Sequence, residues 1–281
     1  LPIYREVGDQ AGESLCLNQL GYCLSVTGDY EAAVAYYEQA LRLARQIGFR
    51  LCEANVLFRL GMFHNQIGDY AGGKPYLEQA LSMARKDNDQ RSVAQNLYNL
   101  SWADRGLGRP EAAREHSQEA LAICQAIGDR NGEAAAWKTL GEALVDLGLW
   151  AEATAAFQQM LDVCQGIADQ CGVIDAWARL AQVALARDDI DQAQGYIEQV
   201  LRYHDSRGSF QDTYVDMFPA YLACYQVLQA NHDPRADRIL ETAYTLLQEQ
   251  AARITAEPLR RTFLENALAH REIVRAWNNL A

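Results

Sequence analysis

The chain repeats itself every 40 residues, and no other feature constrains its fold as strongly. The stretches LNQLGYCLSVTGDYEAAVAYYEQAL (17–41), LFRLGMFHNQIGDYAGGKPYLEQAL (57–81), LYNLSWADRGLGRPEAAREHSQEAL (97–121) and WKTLGEALVDLGLWAEATAAFQQML (137–161) align without a gap. A fifth, WARLAQVALARDDIDQAQGYIEQVL (177–201), is more diverged but keeps their register. A unit of this size cannot bury its apolar face alone, so stacked copies must share one continuous core.

Within each unit apolar residues recur at three- and four-residue spacing in two stretches, such as Leu17, Leu20 and Leu24, then Ala33, Tyr37, Ala40 and Leu41. That period predicts two amphipathic helices. Between them stands Gly28-Asp29-Tyr30, Gly68-Asp69-Tyr70, or a variant such as Gly148-Leu149-Trp150. Glycine closes the first helix in a left-handed cap, and aspartate accepts the orphan amide bonds of the second. The expected class is therefore all-α, an α-α solenoid of helical hairpins, with one long curved trough in place of a closed globule.

Composition narrows function. The net charge is −12, with carboxylates spread through every repeat, a surface that repels phosphate backbones; nucleic acid is not an expected partner. No apolar run approaches the roughly 20 residues of a membrane span, so no membrane partner is expected and a cytoplasmic location is. Seven cysteines, with no C-x-x-C pair, argue against a disulfide framework or zinc site. Cys124 and Cys164 fill the slot that Ala44 and Ala84 fill in other copies, which reads as packing of a small apolar side chain. No phosphate-binding loop, nucleophile elbow or H-E-x-x-H occurs. His64 and Asp104 share a slot in adjacent copies, which suggests a polar contact across a repeat boundary. No catalytic residue, metal or cofactor is assigned, and the chain is expected not to be an enzyme.

One copy carries Trp137, Leu140, Gly141, Gly148, Trp150, Ala153, Phe157 and Leu161, and the first carries Leu17, Leu20, Gly21, Gly28, Tyr30, Ala33, Tyr37 and Ala40. This pattern resembles the tetratricopeptide repeat (TPR), whose usual unit is about 34 residues; the extra residues are expected in the helices and in inter-repeat linkers such as 127–134. The resemblance implies a right-handed TPR superhelix of stacked hairpins. The expected divisions are 1–10, the end of a truncated preceding repeat, then repeats at 11–50, 51–90, 91–130, 131–170, 171–212 and 213–252, and a C-terminal capping helix at 253–281. The linker at 203–210 is longer than its counterparts. In the cap, one helix over 259–280 is expected to bury Phe263, Leu264, Leu268, Ile273 and Trp277. With Phe263-Leu264, His270-Arg271 and Ile273, this last segment resembles the ends of bacterial STAND-type ATPases and transcription regulators, in which a TPR array follows other domains. That implies a covalently linked upstream ATPase or regulatory domain.

In such arrays the first helix of each pair lines the concave face. The resemblance maps the groove to Asn18 and Tyr22, then Asn55, Phe58, Arg59, Met62 and Asn65, then Tyr98, Asn99, Trp102 and Arg105, then Lys138 and Arg179. Large apolar side chains gathered on an open face mark a binding surface; in a tight superhelix they would instead pack on one another. Trp137, Trp150 and Trp177 fall in packing slots, whereas Trp102 falls one turn past its slot, on the groove stripe. The lysine and asparagine clamp that holds a C-terminal carboxylate in chaperone-adaptor TPRs is not reproduced. The implied function is binding of a protein or peptide in the concave groove, as the sensing or partner-binding arm of a larger bacterial signalling protein. The alternatives are a free-standing scaffold and a small-molecule sensor groove.

Overall fold

The structure, a computed structural model, describes residues 1–207 and 217–280. Among the described residues there are helices and no strands: α1 (Pro2–Glu6), α2 (Gln10–Thr27), α3 (Tyr30–Gln46), α4 (Arg50–Gln66), α5 (Tyr70–Lys86), α6 (Gln90–Gly106), α7 (Pro110–Ile127), α8 (Arg130–Asp146), α9 (Trp150–Gly166), α10 (Gln170–Ala186), α11 (Ile190–Arg207), α12 (Phe218–Ala230), α13 (Arg235–Ala252), α14 (Glu257–Glu265) and α15 (Leu268–Leu280). The linker from 208 onward and the repeat boundary expected at 212/213 lie outside the described residues.

A finer period underlies the 40-residue one. A residue with positive φ recurs every 20 positions: Gly8, Gly28, Gly48, Gly68, Asn88, Gly108, Gly128, Gly148, Ala168 and Asp188. Helix ends and inter-repeat joints thus use the same tight turn. Asp9, Asp29, Asp69, Asp89, Asp129 and Asp169 each accept an amide bond from the residue three positions on, which starts the next helix. The extra residues of each unit therefore lengthen the helices and not the linkers: Asp129 caps at the Gly132 amide, and 130–134, expected as linker, are the first turn of α8.

Each helix from α2 to α11 packs on the next, and the first helices of successive pairs also touch one another: α2 with α4, α4 with α6, α6 with α8, α8 with α10 and α10 with α12. Second helices make no comparable contact, so they form the outer layer and the first helices the inner wall of a curved stack. The core lies between the layers. Tyr37, Leu57, Leu77, Leu97, Phe157, Leu180 and Ile197 are fully buried there, each such burial being worth about 1.5–3 kcal/mol. Cys124 and Cys164 are buried with Ala44 and Ala84, and burial pushes their thiols up to about 11 and about 12.

Two features depart from expectation. The cap is two helices: the chain breaks at Asn266-Ala267, and α15 folds back on α13 and α12 with Trp277 stacked on Tyr244 at 4.7 Å. Phe263 and Ile273 are buried and Leu264 and Trp277 half-buried, but Leu268 is 54% exposed because the break turns it outward. His270 takes a buried place instead, its Nδ1 2.8 Å from the Phe263 carbonyl.

The second departure is larger. The stack is not an open trough, because its two ends meet: Tyr30, Phe63 and Ile67 share one apolar cluster with residues of α10 to α15. The turns that follow α2 and α4 thus lie against the cap.

Candidate functional site

The inner wall is where repetition places unlike side chains side by side, and its chemistry changes along the stack. At the α2–α4 end the Arg59 guanidinium lies 4.3 Å from the centre of the Tyr22 ring, a cation–π arrangement that holds both side chains extended along the wall. Beneath them Tyr37 is buried; burial raises its phenol above the ordinary value, against the influence of Ser25 and Arg59. Phe58 is half-buried and wedged between two apolar clusters. Met62 is 38% exposed, and Asn55 is exposed with its amide given to the Leu51 carbonyl.

Three of the asparagines do not stand on an open surface. Asn18, Asn65 and Asn99, which fall in three different slots of the repeat, are buried. Asn65 donates to the Asn99 carbonyl at 2.9 Å, tying α4 to α6, and Asn99 donates to Gln95 within α6. Tyr98 also packs into the core, and burial among Cys124 and Asp129 raises its phenol well above the ordinary value.

The tryptophans divide as their slots do, though none is fully buried. Trp137, Trp150, Trp177 and Trp277 are half-buried and packed against the core clusters. Trp102, on α6, is half-buried but belongs to none of the three clusters.

At the α6–α10 end the wall is ionic. Arg105 bonds to Glu142 and, at 2.6 Å, to Asp146; Arg179 reaches Glu142 at 2.8 Å and Asp175 at 3.1 Å; Lys138 reaches Asp175 at 2.6 Å. Three cations thus face three carboxylates. Lys138 and Arg179, expected as groove cations, are committed to this network. Burial raises the Asp175 carboxyl, but Lys138 and Arg179 outweigh it and hold the group at about 2. Glu142 is lowered by the same competition, Arg105 and Arg179 prevailing over burial.

These depressed values fix the sign of an acid response. A carboxylate bound more tightly in the folded state stabilises it above the unfolded value, here 3.8 for Asp175, and loses that contribution as pH falls toward about 2. Acid unfolding followed by far-ultraviolet circular dichroism should therefore steepen between about pH 4 and pH 2. In Asp175→Asn that limb should be shallower than in the wild type.

Sequence reasoning missed a second polar cluster. Asp104, fully buried on α6, bonds to Lys74 of α5 and to His116 Nδ1 of α7 at 3.0 Å; burial raises its carboxyl, but His116 and Lys74 outweigh that and hold it below the ordinary value. His64 pairs instead with Asp69 at 2.8 Å, so the contact expected between the His64 and Asp104 slots is replaced by two local ones. Lys74, Asp104 and His116 occupy different slots, and no repeat alignment brings them together. Beside His116 a recess of about 440 Å³ opens in the outer layer, lined also by Glu78, Ser82, Arg85 and Lys86. Among the described residues no group of three or more histidine, cysteine, aspartate or glutamate side chains is placed to hold a metal. No helix among them is long and apolar enough to cross a membrane.

A curved double layer of paired helices is the fold of TPR-like helical repeats, and the comparisons agree with it. Residues 14–47 and 52–126 match the tetratricopeptide repeat, and the fold is that of a TPR solenoid. Among solved structures it is similar to a Rap protein complexed with competence and sporulation factor (TM-score 0.66, 15% identity, covering 96% of this chain and 77% of that one). It is also similar to aspartyl phosphate phosphatase F from Bacillus subtilis (0.67, 13%, 98% and 73%). A third is the STAND protein with a TPR sensor from Pyrococcus horikoshii (0.62, 17%, 90% of this chain and 39% of that one). At these identities the likeness is one of fold. No curated protein matches the chain at a significant level.

Proposed function

We propose that the chain is the partner-binding arm of a larger signalling protein of the STAND type and takes a protein or peptide segment along its inner wall. The observation that carries this reading is Trp102: alone among the five tryptophans it stands outside every core cluster, on the same wall as exposed Met62 and the Arg59–Tyr22 pair. Aromatic and arginine side chains held on a rigid frame dominate binding energy because little entropy is lost when a ligand covers them. Tyr22, Asn55, Phe58, Arg59, Met62 and Trp102 form the proposed contact stripe. Arg105, Lys138 and Arg179 border it, and Asn18, Asn65, Tyr98 and Asn99 support it from beneath.

The similarity to a Rap protein solved with a bound factor and to a STAND protein with a TPR sensor supports a partner-binding role. Seven free cysteines suit a reducing, cytoplasmic setting. In a selection of phage-displayed peptides against the whole chain, Trp102→Ala should weaken captured peptides by about 30-fold, the loss of a hot-spot side chain. Its melting temperature should stay within a few degrees of wild type. A fall in melting temperature equal to that of Trp137→Ala would make Trp102 a packing residue and end the assignment.

A further inference from the structure

The meeting of the two ends is built from contacts that, among the described residues, have no equivalent in the other repeats. The Arg253 guanidinium donates to the Thr27 carbonyl at 3.3 Å, the Thr255 hydroxyl to Glu31 at 2.9 Å, the Ala256 amide to the same Glu31 carboxylate, and the Asn266 amide to the Gly68 carbonyl at 3.3 Å. Between these bonds Phe263, 1% exposed, lies 6.2 Å from Tyr30, which meets Phe63 edge-on at 5.5 Å.

The turn glycines point to the same place. Among the described residues seven glycines have positive φ, and at Gly8, Gly48, Gly108, Gly128 and Gly148 an added Cβ would meet nothing within 4 Å. At Gly28 it would lie 2.9 Å from Arg253 Cδ, and at Gly68 it would lie 2.9 Å from both the Ala267 backbone nitrogen and Asn266 Cβ. The slot itself accepts a side chain, since Asn88 holds it with φ 53°. At Gly68, then, the absent side chain makes room for the cap as well as for the backbone conformation.

The segment that makes these contacts is jointed at both ends. Non-helical residues 253–256 precede the nine-residue α14, and Asn266-Ala267 follow it, while α15 stays packed on α12 and α13. Its bonds from Arg253 to the Thr27 carbonyl and from the Thr255 hydroxyl to the Glu31 carboxylate are solvent-exposed. Burial raises the Glu31 carboxyl, but the bonds from Ala256 and Thr255 reverse that and hold it below the ordinary range.

We propose that residues 253–267 form a strap that fastens the cap to the turns of the first two repeats and lifts as a unit, opening the ring of helices so that the inner wall becomes accessible from the side. Any ligand that binds the open array better than the closed one shifts this equilibrium by its difference in affinity. The inference stands whatever the ligand is.

Asparagine at the turn glycines tests it, because each replacement asks the same left-handed conformation of the backbone and only two touch the strap. Hydrogen exchange, small-angle scattering and peroxide oxidation of Met62 would be compared for Gly68→Asn, Gly28→Asn and Gly108→Asn in the whole chain. Gly68→Asn should speed exchange at least tenfold in both 253–267 and the 28–31 turn, raise the radius of gyration and speed Met62 oxidation, with helicity unchanged. Gly28→Asn should do so less, since the Arg253 side chain can move aside, and Gly108→Asn should match wild type. The proposal is overturned if Gly68→Asn behaves as Gly108→Asn, if only α14 exchanges faster, if the ends part without faster Met62 oxidation, or if helicity throughout the array falls with the strap.

Discussion

Phe157→Ala should destabilise the array by about 3–5 kcal/mol, the range for removing a buried aromatic ring and leaving its cavity. Phe157 is 1% exposed, and its ring fills the space that Gly141 leaves on the facing helix: a Cβ on Gly141 would lie 2.5 Å from Phe157 Cε1. The same lock recurs through the stack, with Tyr37 over Gly21 and Leu77 over Gly61 at comparable approach. In the third repeat both members change together, and Ser117 bonds to Ser101 at 2.7 Å and to Thr139 at 3.0 Å. Gly141→Ala should therefore also destabilise, by about 1–3 kcal/mol, because the ring it meets is enclosed and cannot swing away. Urea unfolding followed by circular dichroism would measure both. In a linear array stability is local, so α8 and α9 should open first in hydrogen exchange, ahead of α3 and α4. A Phe157→Ala protein with an unchanged midpoint would show that neighbouring repeats collapse into the space, and the lock would lose its meaning.

That lock was readable in the sequence because its partners lie 16 residues apart and return in the first, second and fourth repeats. The turns were readable for the same reason: an aspartate cap spans three residues, and the left-handed residue returns on schedule. The seam between the ends was not. Glu31 and Ala256 are 225 positions apart, and neither has a counterpart making the same contact in another repeat. Gly68 gave no hint, since five of the other turns have glycine for conformational reasons alone. The break at Asn266-Ala267 was equally hidden; nothing in Glu265-Asn266-Ala267-Leu268 ends a helix, and tertiary contact with Gly68 overrides local preference.

The groove was partly legible. Mapping by slot finds the inner wall, but exposure depends on how closely first helices approach, which the repeat pattern does not encode. Asn18, Asn65 and Asn99 are buried, whereas Met62 is exposed and Tyr22 and Trp102 are half-buried. Residue type alone does not tell buried Asn18, Asn65 and Asn99 from exposed Asn55, because asparagine is at home both on a surface and tying one helix to another's carbonyl.

Glu142→Ala should be the most damaging change on the inner wall, costing about 3–5 kcal/mol, the penalty for stranding a buried charge. Glu142 is the hub: its side chain, 8% exposed, serves Arg105 of α6 and Arg179 of α10, whose own side chains are 15% and 14% exposed. Asp146 and Asp175 remain as second partners for those arginines, so the loss falls on the charges they cannot both neutralise. The depressed carboxyls of Glu142 and Asp175 show that attraction exceeds desolvation for the intact network, yet a buried network is not thereby more stable than an apolar one. Replacing Arg105, Glu142 and Arg179 together by Met, Leu and Met should recover much of that loss, since Asp175 keeps Lys138 and only the 30% exposed Asp146 is left without its arginine. Denaturant midpoints of the single and triple variants decide the matter. If the triple variant is as unstable as Glu142→Ala, the charges are needed to register α6, α8 and α10 against one another. If it is stable but selects different peptides, the ions were kept for what the wall recognises.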